Sequence, residues 1–86
     1  MRLLIVDDEH YIVNYLAALV EAHAPEDLEV YKCYSGMEAL ELSKTMKIHL
    51  ALLDIRMPGL SGIETASRIR TSDPDFRVIF LTAFDN

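Results

Sequence analysis

Four short, largely apolar runs alternate along the chain with longer segments of mixed polarity. They are rich in β-branched and large aliphatic residues, which favour strands. The runs cover residues 3–6, 28–33, 50–53 and 78–81. The first run stops at Asp7-Asp8 and the third at Asp54, which is typical of strands buried on both faces whose carboxyl ends reach solvent. The sequence therefore predicts four strands.

The segments between these runs carry helical signals. A first helix bounded by Pro25 is predicted by an apolar stripe that consists of Ile12, Val13, Leu16, Leu19 and Val20. Ser35 and Glu38 form a Ser-x-x-Glu capping box, which predicts the start of a second helix. Ala39 and Leu40 of that helix are expected to point inward.

The same capping signature recurs at Ser61 and Glu64 and predicts a third helix. Its apolar side is expected to hold Ile63, Ala66 and Ile69. The helix should stop before Asp73-Pro74, because proline disfavours a helical conformation at the residue that precedes it. The resulting order, β-α-β-α-β-α-β with long connections, favours a parallel sheet with right-handed crossovers and helices on both faces. We therefore expect residues 1–86 to form one doubly wound α/β domain.

The acidic strand ends carry the candidate chemistry. In a doubly wound sheet of order 2-1-3-4, ligands bind beyond the carboxyl ends of strands one and three, where the winding reverses. Asp7, Asp8 and Asp54 lie at those ends, and neighbouring strands are about 4.8 Å apart, so these carboxylates must gather. Two such charges about 4 Å apart repel by on the order of 4 kcal/mol at an effective dielectric near 20. Mg²⁺ best offsets this repulsion, because it binds one or two carboxylates, keeps several waters and shares a position with a phosphoryl oxygen.

Two further groups are expected at the same pocket. Thr82 ends the fourth strand, and its hydroxyl should face Asp54 from the far side. The small residue Ala83 would leave that hydroxyl room to move toward a phosphoryl group and donate a hydrogen bond. A backbone carbonyl near Arg56, in a loop with proline and glycine turn residues, could add a metal ligand.

Other interpretations of these residues have less support. The aspartates could simply cap helices, and calcium or zinc is disfavoured because the chain has no EF-hand loop and no ligand-spaced histidine pair. The main alternative function is a Mg²⁺-dependent aspartyl-phosphate phosphohydrolase. Such enzymes resemble Asp-x-Asp-x-Thr after the first strand, whereas Asp7 is followed here by Asp8, Glu9, His10 and Tyr11. A flavin or nucleotide module is disfavoured by the lack of a glycine-rich loop at that place.

Composition narrows the functional class. The 86 residues carry a net charge of −6, which disfavours direct contact with a nucleic-acid backbone. No apolar run approaches the roughly 20 residues of a membrane span, and no secretory signal is visible, so we expect a cytoplasmic protein without membrane contact. Cys33 is the only cysteine, and it is expected to be a small core residue.

Three motifs, taken together, resemble a known family. They occupy residues 4–9, 53–62 and 80–83. In this order and at these separations they are similar to the motifs of the receiver domains of two-component response regulators. The resemblance spans the whole chain. It implies a flavodoxin-like doubly wound parallel sheet of order 2-1-3-4.

The resemblance also implies a role for each residue of the predicted pocket. Asp54 would be the phosphoacceptor, which attacks a phosphohistidine of a sensor histidine kinase. Asp8 and Asp54 would bind Mg²⁺ directly, Asp7 would bind it through water, and Thr82 would be the switch hydroxyl. On this basis the chain is a phosphoacceptor signalling domain rather than an enzyme.

Several parts of the family lie outside residues 1–86. The family places a lysine after a fifth strand, an aromatic switch residue and two more helices there, so the fold is expected to lack the last helix-strand-helix of a full receiver. Without that lysine, phosphorylation of this segment alone is expected to be slow or lost. The apolar run 78–81 would need cover on both faces, and a cut chain, a remainder outside this sequence and a homodimer or domain swap at this edge all stay open.

Two stretches suggest the type of output domain. Residues 54–59 and 81–85 look most like receivers that are attached to AraC-type helix-turn-helix domains. The implied protein is a transcription regulator that binds DNA only through a part outside this chain.

Overall fold

The computed structural model describes residues 1–82, which form a four-stranded sheet with three helices. The elements are β1 (Arg2–Val6), α1 (His10–His23), β2 (Glu29–Cys33), α2 (Gly36–Thr45), β3 (Leu50–Asp54), α3 (Gly62–Ser72) and β4 (Arg77–Leu81). All strand pairs are parallel, and the sheet order is β2-β1-β3-β4. The predicted doubly wound α/β fold with order 2-1-3-4 is therefore confirmed.

The strand register brings the carboxyl ends of the central strands level with one another. Val6, the last residue of β1, is paired with Cys33 of β2 and with Leu53 of β3. Asp54 ends β3 and is paired with Leu81 of β4. Residues that directly follow β1 and β4 therefore emerge at the same edge of the sheet as Asp54.

The core has two layers, because successive side chains of a strand point to opposite faces of the sheet. On one face, Leu4 and Val6 belong to a buried cluster with residues of α2 and α3. On the other face, Ile5 packs with Val13 and Ala17 of α1. Cys33 is buried in the first cluster, as predicted, and burial raises the pKa of its thiol to about 11. Nearly every side chain of β1 is thus sequestered from water.

At the starts of α2 and α3, the serine of each predicted capping box makes the expected hydrogen bond, and the glutamate does not. Ser35 and Ser61 each accept a hydrogen bond from the backbone N–H three residues later. The carboxylate of Glu38, however, accepts from the Tyr34 N–H at 2.6 Å instead of the Ser35 N–H. Glu64 forms an ion pair with Arg68 at 2.8 Å, one helical turn further along α3.

Parts of the predicted apolar pattern are wrong. Leu19 and Ile63, both expected to face the core, are 47% and 57% exposed. In β4, by contrast, Ile79 is 53% exposed and Phe80 37% exposed, so residues 1–82 do not supply all the cover that this strand was expected to need. Ile79 is exposed because of its position in the sheet, since α1 packs mainly against β1 and β2. Within the described residues, no helix has the length and apolar character needed to cross a membrane.

Candidate metal centre

Three aspartates converge at the carboxyl edge of the sheet. Asp7 and Asp8 directly follow β1, and Asp54 is the last residue of β3. One carboxylate oxygen from each of them lies within 4.8 Å of the other two. Asp7 is only 5% exposed, Asp54 is half-buried and Asp8 is exposed. The structure therefore brings together the three acidic side chains that the sequence placed at neighbouring strand ends.

Backbone amides orient two of these carboxylates. The Glu9 N–H donates to Oδ1 of Asp7 at 3.0 Å, and the Arg56 N–H donates to Oδ1 of Asp54 at 3.3 Å. In each case the amide lies two residues after the aspartate, which is the local turn that aspartate side chains commonly form. The two acidic side chains are thus held by the loops that follow their strands.

Burial and mutual repulsion disfavour the charged forms of the inner carboxylates. Burial raises the pKa of Asp7 to about 6; the amide of Glu9 lowers it, and the neighbouring charge of Asp54 raises it further. Burial also raises the pKa of Asp54, opposed by the amide of Arg56 and reinforced by the charge of Asp8. A cation bound among them would reverse these shifts, because it stabilises the charged carboxylates.

The chemistry of the donors fits a hard divalent cation. All three side chains offer oxygen atoms, the ligands that Mg²⁺ and Ca²⁺ prefer, and none offers the nitrogen or sulfur typical of zinc sites. Among residues 1–82 the cluster has three carboxylates within reach of one another, and Mg²⁺ fits them better, since it retains several waters whereas Ca²⁺ takes six to eight oxygen ligands.

An open cleft of about 380 Å³ lies beside the acidic cluster. It is lined by Asp8, Glu9, Asp54, Ile55, Arg56, Leu81 and Thr82. Thr82 is exposed and shares this cleft with Asp54, on the side of β4, as the sequence suggested. Ala83, which was expected to leave room for the threonine hydroxyl, lies outside the described residues. The backbone of Arg56 reaches the cluster through its N–H, and its carbonyl as a metal ligand stays a prediction.

A closed loop connects the acidic cluster to α3. The Gly62 N–H donates to the Ile55 carbonyl at 2.9 Å and so closes the segment 55–62 on itself. A Cβ atom at Gly62 would overlap the Asp54 carbonyl, so only glycine fits at this first position of α3. Gly62 ends the second of the three motifs, residues 53–62, and this close approach gives the physical reason for a glycine there.

Two features of the site were not predicted from the sequence. Glu9 lines the cleft and orients Asp7 through its backbone, and its position directly after the acidic pair was the available signal. Next to it, the ring of His10 stacks on Tyr34 at 3.9 Å between centroids with an interplanar angle of 28°. No sequence pattern linked these two rings, because they come from α1 and from the connection between β2 and α2.

Comparisons with known proteins agree with this geometry. The family model described as "Response regulator receiver domain" matches residues 3–86. The chain is 42% identical over 85 residues to the regulatory protein VanR of Enterococcus faecium, covering 98% of this chain and 35% of that protein. It is 35% identical to sporulation initiation phosphotransferase F of Bacillus subtilis (strain 168), covering 96% of this chain and 64% of that protein. The chain thus spans only part of either relative.

Solved structures show the same similarity. The response regulator protein TrrA from Thermotoga maritima, solved in complex with Mg(2+)-BeF, superposes with a TM-score of 0.85 at 38% identity, covering 98% of this chain and 70% of that chain. A two component transcriptional regulator AraC from Clostridium phytofermentans ISDg superposes with a TM-score of 0.83 at 30% identity. That match covers 99% of this chain and 68% of the other.

Proposed function

The chain belongs to the family of response regulator receiver domains, and from this premise we propose that Asp54 accepts a phosphoryl group in a two-component phosphorelay. The observation that carries the proposal is the convergence of three carboxylates from two adjacent strand ends beside an open cleft. Asp54 is the member of the cluster that combines partial burial with access to this cleft.

The proposed reaction is a transfer between two side chains. A carboxylate oxygen of Asp54 attacks the phosphorus of a phosphohistidine, the P–N bond breaks, and its electron pair leaves with the imidazole. The product is an acyl phosphate on Asp54. The Arg56 amide at 3.3 Å holds the carboxylate in place for this attack, so the contribution of the protein is mainly one of positioning.

We assign the metal ligands to the same cluster. Asp8, Asp54 and the Arg56 carbonyl would hold Mg²⁺ directly, and Asp7 would do so through water. Bound there, Mg²⁺ supplies positive charge against the equatorial oxygens of the transferring group. The Mg(2+)-BeF complex of TrrA supports this assignment for a related protein. Thr82, at the opposite side of the cleft, is the proposed switch hydroxyl that follows the phosphoryl group.

The proposed partners follow from this role. A sensor histidine kinase in the cytoplasm would donate the phosphoryl group, and the chain would act as a switch rather than as an enzyme that turns over a substrate. We propose a transcriptional output of the AraC type, joined to this chain, as the DNA-binding part; the structural match to a two component transcriptional regulator AraC supports it. A homodimer or domain swap at the β4 edge is a further proposal, supported by the exposed side chain of Ile79.

Phosphotransfer from a radiolabelled histidine kinase domain tests the proposal. We expect the full chain to gain label slowly and only with Mg²⁺, and we expect Asp54→Asn to gain none while remaining folded by circular dichroism. Equal labelling of Asp54→Asn would contradict the assignment of the phosphoacceptor. Turnover of a small phosphate ester that is lost in Asp7→Asn and kept in Asp54→Asn would instead favour the aspartyl-phosphate phosphohydrolase.

A further inference from the structure

The first residue of α2 packs against the loop that follows the acidic strand end. Gly36 is buried, and a Cβ atom added to it would lie 2.8 Å from the Leu60 carbonyl oxygen and 2.9 Å from the Leu60 Cβ. It would lie closer still to Oγ1 of Thr65. Gly36 has no positive φ angle, so its conformation does not demand glycine. Glycine is required instead because Leu60 and Thr65 leave no space for a side chain at this position.

The neighbours of Gly36 cannot easily move away. Thr65 is fully buried, and its Oγ1 donates to the Ser61 carbonyl at 2.7 Å. The same carbonyl accepts the Thr65 N–H at 2.9 Å, so the hydroxyl is fixed within the first turn of α3. The other two close atoms belong to the backbone and the Cβ of Leu60, which cannot rotate away as the end of a long side chain can. A methyl group at position 36 must therefore displace the loop.

This loop is the one that orients Asp54. Leu60 lies in the segment that begins with the Arg56 N–H bonded to Asp54 and ends with the Gly62 N–H bonded to Ile55. Because one end of the segment is bonded to Asp54 and the other to Ile55, the residue that follows β3, a displacement at Leu60 is passed to the backbone around Asp54.

The other side of the contact is also tied to the acidic cluster. Glu38 in the first turn of α2 accepts the Tyr34 N–H at 2.6 Å, and Ser35 caps the helix. Tyr34 follows Cys33, whose carbonyl accepts the Asp7 N–H at 3.4 Å. The start of α2 therefore connects the backbone at Asp7 with the loop at Leu60.

We propose that Gly36 is a positioning residue for the acidic site. By its lack of a side chain it sets the distance between the start of α2 and the loop 55–61, and so keeps Asp54 and the Arg56 backbone in a geometry that binds the metal. The inference deepens the proposed function and rests on it, because it concerns the same site.

Mg²⁺ titration of the full chain by calorimetry tests this inference, with Mg²⁺ alone as the probe. We expect Gly36→Ala to weaken Mg²⁺ binding about 10-fold, as loss of an outer-shell support commonly does, and to shift the amide resonances of Arg56 and Leu60. Ala39→Gly is the matched control, because it alters a fully buried residue of the same helix by one methyl group without pressing on the loop. This control should bind Mg²⁺ within twofold of the wild type, even where it lowers stability.

A second variant covers the case in which Gly36→Ala does not fold. Thr65→Val keeps the volume of the side chain but removes the hydrogen bond to the Ser61 carbonyl, so the loop should loosen and Mg²⁺ binding should weaken about threefold. Variants that bind Mg²⁺ like the control, with unshifted loop resonances, would overturn the inference. Failure of the wild-type chain itself to bind Mg²⁺ would instead overturn the proposed function, so the two outcomes are distinguishable.

Discussion

Asp7 is the most deeply buried acid of the cluster, and its environment opposes its charge. With 5% of its surface exposed and with two other carboxylates close by, it is ionised at a cost that the fold must offset. The sequence predicted which residues meet here, because the carboxyl ends of parallel strands share one edge. It did not predict how deeply each one lies, since burial depends on the loops that follow the strands.

The charge of Asp7 gives the first prediction. Without metal at pH 7, Asp7→Asn should raise the free energy of unfolding by about 1–2 kcal/mol, because the change removes a buried charge and its repulsion from Asp54, and keeps an oxygen that can accept the Glu9 N–H. Urea unfolding measures the difference. Asp75→Asn, at an exposed acid remote from the site, should change stability by less than about 0.5 kcal/mol. Destabilisation by Asp7→Asn would contradict the repulsion.

The raised pKa of Asp7 gives the second prediction, a dependence of stability on pH. A carboxyl with a pKa of about 6 in the folded state and 3.8 in the unfolded state binds more protons when folded. The free energy of unfolding without metal should therefore fall as pH rises from about 4 to about 6, by at most about 3 kcal/mol. The pKa of Asp54 is also raised, so its titration changes the free energy of unfolding in the same direction as that of Asp7. The pKa of Asp73 is lowered beside Lys47, so its titration affects stability only at lower pH.

Two controls separate this pH effect from other titrations. Asp7→Asn should flatten the dependence between pH 4 and 6, and saturating Mg²⁺ should offset the loss above pH 6, because the metal binds the charged carboxylates. A metal-free stability that rises across this window would be inconsistent with the burial of Asp7.

At the scale of the elements, the start signals of the helices were more predictable than their buried faces. The buried residues of α3 are Gly62, Thr65, Ala66 and Ile69, which follow the helical spacing i, i+3, i+4 and i+7. The polar residue Thr65 belongs to this face because its hydroxyl is satisfied by the Ser61 carbonyl, so a pattern based on apolar residues selected Ile63 instead. In α1 the same error arose because the buried Ala17 is small and Leu19 is large.

The serine caps give a prediction at this scale. Ser61→Ala should lower the free energy of unfolding by about 1 kcal/mol, because the Glu64 N–H loses its acceptor at 3.2 Å. Chemical denaturation provides the measurement. Ser67→Ala, in the exposed middle of the same helix, should be neutral or slightly stabilising, since alanine is the better helix former. Equal losses for the two variants would exclude the capping role.

At the scale of the whole molecule, the sheet order and the meeting of the strand ends followed from the alternation of elements. The uneven burial of β4 did not, because an apolar run such as residues 78–81 shows only that the side chains avoid water, and not which helix covers them. Among residues 1–82, α1 covers mainly β1 and β2, and Ile79 is left 53% exposed.

The same substitution at a buried and at an exposed isoleucine tests the difference in burial between β1 and β4. Ile5→Val should lower the free energy of unfolding by about 1 kcal/mol, because Ile5 is fully buried between the sheet and α1. Ile79→Val should cost less than about 0.5 kcal/mol in the dilute chain. Thermal or urea unfolding at several protein concentrations gives both values. A cost at Ile79 that grows with concentration would support the proposed self-association, and an equal cost at low concentration would contradict the exposure.

A double-mutant cycle of Mg²⁺ affinity, measured by calorimetry on the wild type, Asp7→Asn, Asp54→Asn and the double variant, tests the central claim that these carboxylates form one cation site. We expect each single change to weaken binding at least about 10-fold and the double variant to lose less than the product of the two, because both residues act on one ion. Affinities that stay unchanged, or losses that multiply independently, would contradict a shared site.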